Sequence, residues 1–271
     1  MTRILMIGDV VGKPGRDVLQ SQLAKVRERH GVDFVIANAE NVAGGSGITS
    51  ENYRALRMFG VDCMTLGDHA YGQKEIITTL EHEKNIVRPG NFPREAPGRR
   101  FTILTIPSTK SQAEPVRIAV FCLLGRTFMK PVDCPLRAAE EILALLPHDV
   151  KVRIIDFHAE ATSDKQTLAR SLDGQVSAIL GTHTHVATAD ETIFPGGTAF
   201  QCDVGMTGPF DSIIGRRIDR VCETFRTFRP TPFDVARNDV RMNGTIVDVD
   251  PATGLAVSIK RIVERLPVEM G

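Results

Sequence analysis

The chain has 271 residues, 42% of them hydrophobic, enough for a sizeable core in one large α/β domain or two small ones. Its 33 Lys+Arg balance 33 Asp+Glu, whereas proteins that grip nucleic acid through its phosphates are usually basic; no stable nucleic-acid binding is expected. No apolar run approaches the ~20 residues of a membrane helix, and the N-terminal one is too short for a signal peptide, so the expectation is a cytoplasmic chain with no membrane partner.

Arg3 to Ile7 is a short apolar run closed by Gly8-Asp9 and reads as a buried first strand. Gly12, Pro14 and Gly15 mark a loop. Arg16 to Arg29 follows as a helix, with Val18, Leu19, Gln22, Leu23 and Val26 at spacings of three and four. Phe34 to Ala37 is the second strand and ends in Asn38-Ala39-Glu40-Asn41. Beyond Gly44-Gly45-Ser46-Gly47, read as a tight turn, Thr49 or Ser50 can cap a helix running to about Phe59. Cys63 to Leu66 is the third strand, ending in Gly67-Asp68-His69, and Lys74 to Glu83 is helical. Strand, polar loop and helix, repeated, is the signature of a parallel sheet with right-handed crossovers. Ligands bind such sheets outside the carboxyl ends of the strands, where Asp9, Glu40, Asp68 and His69 fall.

Arg88 to Arg100 is irregular, and Phe101 to Ile106 and Val116 to Leu124 are strands joined by a polar loop. Asp133 caps a helix that has Pro135 in its first turn and runs to about Leu146. Val152 to Phe157 is a buried strand ending in His158-Ala159-Glu160, and Ser163 with Gln166 forms a capping box for a helix to about Leu172. Val176 to Leu180 then delivers Gly181-Thr182-His183-Thr184-His185. Alternation along an extended segment aims both imidazoles at one point and turns Thr182 and Thr184 away. Thr192 to Phe194 and Thr198 to Cys202 flank Pro195-Gly196-Gly197, a hairpin signal. Gly205 to Pro209 reads as a loop, and Val240 to Val249 with Leu255 to Val263 as a C-terminal antiparallel hairpin. With no repeat or linker, one domain over 1–271 is expected, its sheet parallel early and antiparallel late. The five cysteines (Cys63, Cys122, Cys134, Cys202, Cys222) include no C-x-x-C pair and read as buried thiols in a reducing compartment.

Asp9, Glu40, Asn41, Asp68, His69, His158, His183 and His185 thus gather at strand ends. Carboxylate oxygens with imidazole nitrogens suit Mn, Fe or Zn; a Ca site takes oxygens only. Six or more donors exceed what one such ion uses, so two divalent transition-metal ions are expected, with Glu40 or Asp9 as the shared carboxylate. Such a pair can hold a hydroxide between the ions and neutralise the oxygens of a displaced phosphate. Lys13, Arg16 and Arg88 are candidates to steer the anion; His30, His82 and His148 read as surface residues.

The motifs G-D-V-V-G-K-P-G-R (8–16), N-A-E-N-V-A-G-G (38–45), G-D-H (67–69), D-F-H-A-E-A-T (156–162) and G-T-H-T-H (181–185), in that order, resemble the calcineurin-like metallophosphoesterases. Within them the chain is similar to the bacterial YmdB-like subgroup of 2′,3′-cyclic-nucleotide phosphodiesterases, to which C-D-V-G-M-T-G-P (202–209) also answers. The resemblance spans residue 3 to about 209. It implies a four-layer α/β/β/α sandwich of mixed sheets and a dinuclear site in which Asp9 and His185 hold one metal, Asp68, His158 and His183 the other, and Glu40 bridges. It gives Asn41 to the substrate phosphate or the nucleophile, and to His69 the role of general acid. The expected reaction is in-line attack of a metal-bridging hydroxide on a cyclic nucleotide or related small phosphodiester. Two positions depart from the wider superfamily. Val11 stands where its D-x-H motif has His, as expected in the subgroup, which leaves the first metal an open or water-filled position. Asp68 stands where its G-N-H motif has Asn, and the added charge should tighten metal binding while weakening attraction for phosphate.

Two other classes compete. Metal-dependent C–N hydrolases on barrels carry H-x-H on an early strand, but here it comes late. A metal-binding regulatory protein acting through a partner would keep the same ligands. Homo-oligomerisation is left open. G-x-S-x-G, G-x-x-x-x-G-K-[ST] and G-x-G-x-x-G are all missing.

Overall fold

The computed structural model describes residues 1–108 and 114–266; the middle of the polar loop between Ile106 and Val116 lies outside the described residues. In chain order the first half holds β1 (Thr2–Ile7), β2 (Asp9–Val10), α1 (Gly12–His30), β3 (Phe34–Asn38), α2 (Ser50–Phe59), β4 (Cys63–Thr65), α3 (Ile76–His82) and β5 (Ile86–Val87). There follow β6 (Phe101–Ile106), β7 (Val116–Leu124), α4 (Pro135–Leu145), β8 (Val152–His158), α5 (Thr162–Ser171), β9 (Ala178–Thr182), β10 (Thr192–Ile193) and β11 (Ala199–Gln201). The chain closes with β12 (Met206–Pro209), α6 (Ile218–Thr227), β13 (Val240–Val249) and β14 (Ala256–Arg265).

Instead of one sheet that changes character along its length, there are two. The first runs β2-β12-β13-β1-β3-β4-β5, with β14 on β13. Its β1, β3, β4 and β5 are parallel, and β13 returns antiparallel to β1 with Ile4 opposite Val247. The second runs β10-β11-β9-β8-β7-β6. Its β7, β8, β9 and β11 are parallel, so the parallel pattern recurs late in the chain. The hairpin expected around Pro195-Gly196-Gly197 is the antiparallel β10–β11 pair.

The period-two pattern explains the layering. On β1, Leu5 and Ile7 pack with Val18, Leu19 and Leu23 of α1 and Leu56 of α2, while Ile4 and Met6 face Ile118, Val120 and Ile154 of the second sheet. The far face of that sheet, through Phe121, Ile155 and Phe157, meets Ala138 and Ile142 of α4 and Leu168 of α5. Both sheets are covered on both faces, which gives the expected four layers. Ile154→Ala in the inter-sheet layer should cost about 2–5 kcal/mol, from lost transfer energy plus a cavity.

Local readings fare unevenly. Thr49 caps α2 in a reciprocal box: its hydroxyl accepts from the Asn52 N–H at 3.1 Å, and the Asn52 amide oxygen accepts from the Thr49 N–H at 3.4 Å. The other two predicted caps fail. Cys134, not Asp133, precedes α4, and Ala161 precedes α5, neither with a side-chain cap bond. Ser163 and Gln166 therefore lie inside the helix. The loop read at Gly12 to Gly15 is the first turn of α1, pressed so close to β12 that a Cβ on Gly15 would sit 2.5 Å from the Thr207 carbonyl oxygen. The loop read at Gly205 to Pro209 contains β12, parallel to β2 and antiparallel to β13. Helix α6 has no counterpart among the predicted elements, and none of its residues is buried. Cys63, Cys122 and Cys202 are buried, but Cys134 is half-buried and Cys222 exposed. Among the described residues no helix is long and apolar enough to cross a membrane.

Candidate metal centre

All eight predicted site residues come together at the carboxyl ends of strands from both sheets. Asp9 opens β2; Glu40 and Asn41 follow β3; Asp68 and His69 follow β4. From the second sheet, His158 ends β8, and His183 and His185 follow β9. Glu40, Asp68, His158 and His183 each offer a ligand atom, all within 4.8 Å of one another. His158 Nε2 lies 3.1 Å from Glu40 Oε1, 3.3 Å from Asp68 Oδ1 and 3.0 Å from His183 Nδ1. Beside this cluster, His185 Nε2 is 3.7 Å from Asp9 Oδ1 and 3.3 Å from the Asn41 amide nitrogen, which also donates to Glu40 at 3.1 Å.

The ring tautomers follow from what holds the far nitrogen of each imidazole. The Thr182 hydroxyl gives its one proton to Asp156 Oδ1 at 2.6 Å, so at 2.9 Å from His158 Nδ1 it accepts. That leaves Nε2 to face the carboxylates. His183 turns Nε2 to Glu160 at 3.2 Å and so presents Nδ1 to the cluster. His185 donates from Nδ1 to the Ile214 carbonyl at 2.9 Å and presents Nε2. All three rings therefore offer a nitrogen inward.

Alternation along a strand does not produce this aim. β9 stops at Thr182, and both His183 (φ 98°) and His185 (φ 65°) lie in the left-handed region. Thr182, expected to face away, is buried and supports His158. The looped segment is held from behind by Asp203, whose Oδ2 accepts from the Thr184 N–H at 3.0 Å and hydroxyl at 2.8 Å and pairs with buried Lys165 at 2.8 Å.

The electrostatics fit a cation. Asp9 is fully buried, and its Oδ1 has no hydrogen-bond partner. Burial raises its pKa to about 6 against the pull of His185 and His158. Burial opposes ionisation of Glu40 and Asp68 as well, but His158 and His69 outweigh it and hold both well below the usual carboxylate range. His158 is pushed down by burial, yet Glu40 and Asp68 carry it well above the usual imidazole range. A proton there balances the carboxylates, the place a metal charge would take. Gly67 keeps the space clear: a Cβ would sit 2.3 Å from Glu40 Oε2 and 2.4 Å from His158 Nε2. The donors present, carboxylate oxygens and imidazole nitrogens within 4.8 Å of one another, fit transition-metal ions.

His69 stands at the rim. Its Nδ1 is 3.4 Å from both Glu40 and Asp68, and donating to Asp68 and then to Glu40 raises its pKa to about 9. Of the three cations read as steering groups, Arg88 is buried and spends its guanidinium on the carbonyls of Pro89, Pro93 and Ala96. It fixes the backbone there and pairs with no carboxylate among the described residues. Arg16 donates to the Val42 carbonyl, and exposed Lys13 pairs with Asp17. The Gly44–Gly45 turn shows its carbonyls to Arg216, so it is no phosphate cradle. His82 and His148 are exposed and His30 half-buried.

Sequence reasoning missed Asp156, Lys165 and Asp203. Asp156 is a buried hub that accepts from Thr65, Thr182 and Asn38. Its signal was available: on β8 it lies two residues before His158 and so on the same face. No sequence spacing marks the Lys165–Asp203 pair.

Two mixed sheets between helices, with carboxylates and imidazoles meeting at their strand ends, define an enzyme of the metallophosphoesterase class. The chain belongs to the YmdB-like protein family, whose sequence model matches residues 5–262. It is 42% identical over 261 residues to the 2′,3′-cyclic-nucleotide 2′-phosphodiesterase of Bacillus subtilis (strain 168), covering 96% of each chain. Two crystal structures share the fold. A hypothetical protein from Thermus thermophilus matches with TM-score 0.90 and 41% identity, over 98% of this chain and 100% of that one. A novel phosphatase from Mycoplasma pneumoniae matches with TM-score 0.89 and 31% identity, over 97% and 93%.

Proposed function

We propose that the chain hydrolyses 2′,3′-cyclic nucleotides or closely related small phosphodiesters at a dinuclear centre. In this reading Asp9 and His185 hold one ion, Asp68, His158 and His183 hold the other, and Glu40 bridges. The reading is carried by one observation above all: Asp9 Oδ1 is buried and unpartnered beside His185, next to a second cluster that shares Glu40. The activity of the B. subtilis relative supplies the substrate class. Fe or Mn is the expected metal, with Zn compatible with the same donors.

Bound ions would act as Lewis acids, activating water and neutralising phosphate charge. The chain's own residues do the rest. The Asn41 amide, oriented by Glu40 and facing His185, is placed to donate to a non-bridging phosphate oxygen. His69, protonated at neutral pH by its two carboxylate neighbours and open to solvent on one side, donates a proton to the departing oxygen. The 2′,3′-cyclic ester then opens to a monoester.

The test is elemental analysis of the reconstituted protein, followed by assay of 2′,3′-cyclic nucleotides with and without chelator. Two transition-metal ions per chain and chelator-sensitive ring opening are expected. Fewer than one ion with no hydrolysis overturns the reading.

A further inference from the structure

Loop 125–130 joins β7 to the segment before α4 and is fastened to the site at both ends. The Gly125 N–H donates to the His158 carbonyl at 3.0 Å, and Lys130 Nζ donates to the Asp68 carbonyl at 3.3 Å. Between these points Asp164 at the start of α5 grips the chain: it accepts from the N–H groups of Arg126 and Thr127 at 2.8 and 3.0 Å and from the Thr127 hydroxyl at 2.8 Å. Met129 closes a turn onto the Arg126 carbonyl and packs against the apolar layer under α4 and α5. The loop is thus well anchored, yet at its tip Phe128 is 89% exposed and has a φ of 62°. A bulky aromatic in the left-handed region is an outlier, and nothing in the folded chain is gained by holding this ring out in water. Consecutive Cα atoms are about 3.8 Å apart, so the Phe128 Cα lies at most about 11 Å from that of Gly125 and about 8 Å from that of Lys130. Phe225 and Phe228 are as exposed, 89% and 93%, but they belong to the end of α6, and no hydrogen bond joins that helix to a predicted metal ligand among the described residues.

We infer that Phe128 is the platform on which the base of a nucleotide substrate stacks while its phosphate sits at the cluster, and so sets the preference for nucleotides over other small phosphodiesters. The inference rests on the phosphodiesterase reading for the location of the phosphate. An aromatic face is tolerant of base identity, so the preference is for a base of any kind. A rigid loop with one free ring meets this need at little ordering cost, because the backbone and Lys130 are fixed before the ligand arrives.

The sequence contains no tryptophan, so Phe128→Trp places a single indole at the proposed contact. Titration of that variant with adenosine 2′-monophosphate and guanosine 2′-monophosphate should give saturable fluorescence quenching, and ribose 5-phosphate none. In the hydrolysis assay Phe128→Ala should raise KM for 2′,3′-cyclic AMP about tenfold, the size of one base–aromatic stack, with kcat little changed. Its preference for cyclic AMP over a baseless cyclic phosphodiester should collapse by the same factor, and Phe128→Trp should restore it. Absence of quenching, or equal loss on both substrates in Phe128→Ala, overturns the platform. Wild-type protein that hydrolyses neither substrate overturns the phosphodiesterase reading instead, and quenching then still decides the platform.

Discussion

The two sheets contribute opposite halves of one site. The first supplies the anions, with Asp9, Glu40 and Asp68 beyond β1, β3 and β4. The second supplies the nitrogen donors, with His158 at the end of β8 and His183 and His185 beyond β9. Their supports differ too. The imidazoles are oriented by outer partners (Asp156 through Thr182, Glu160, and the Ile214 carbonyl), whereas Asp9 has one oxygen left without any. The proposed metal centre would therefore be more than a ligand set on a scaffold: it would join the ends of two sheets, one presenting mainly carboxylates and the other mainly imidazoles.

That contrast can be broken first on the nitrogen side. His158→Ala removes the buried ring that meets Glu40, Asp68 and His183 and should lower metal affinity by more than about 10²-fold, since loss of an outer partner alone costs about 10–100-fold. Isothermal titration with Mn²⁺ checks it; unchanged affinity would place the ions elsewhere. His69→Ala lies at the rim and should leave metal content intact while slowing turnover by about 10²-fold or more; equal turnover removes it as the acid. Asp156→Asn should weaken metal binding by about 10–100-fold without touching a proposed ligand, because the His158–Thr182 orientation is lost. A wild-type affinity in that variant would mean the ring is held by packing alone.

The smallest effect is on stability, and its sign comes from two groups at the ends of the first sheet. His69 is raised to about 9, so its contribution is fully present below about pH 6.5 and fades as pH rises through 9. Asp9, raised to about 6 by burial, costs stability once ionised, and that cost is relieved only in acid. Asp9 has reached its full cost by about pH 6, so the chelated protein should lose Tm from about pH 6.5 to about pH 9 in scanning fluorimetry through His69, and His69→Ala should flatten that slope. Metal competes with these protons, so saturating Mn²⁺ should weaken or reverse the trend.

Much of this was legible in the sequence, for identifiable reasons. Apolar runs ending in Gly-Asp, Asn-Ala-Glu-Asn and Gly-Asp-His marked strand ends, and strand ends of parallel sheets are where ligands bind. What failed depended mostly on contacts that no residue pattern announces. Gly15 read as a loop because its requirement is the Thr207 carbonyl, 192 positions away. Arg88 looked like a free cation because the three carbonyls that consume it lie in an irregular stretch. The aim of His183 and His185 was anticipated, but through an extended backbone the chain does not adopt there. Their left-handed turns depend on Asp203, which no local pattern links to them. The α6 helix is a different case: Ile218, Val221, Cys222 and Phe225 stand at spacings of three and four, so its signal was present in the sequence and was missed.

The Lys165–Asp203 pair has one further implication. Because the protein's own ion pair fastens the histidine segment, the chain itself helps to hold the donors in place, unlike small domains that fold only around their metal. A vessel shaped by its own walls fills with whatever the surroundings supply. Affinity order among divalent metals is common to most sites, so cellular supply decides much of the outcome. The same polypeptide isolated from iron-replete and manganese-replete cultures should therefore carry different ions in an unchanged fold, and its working rate would record what the cell had been fed.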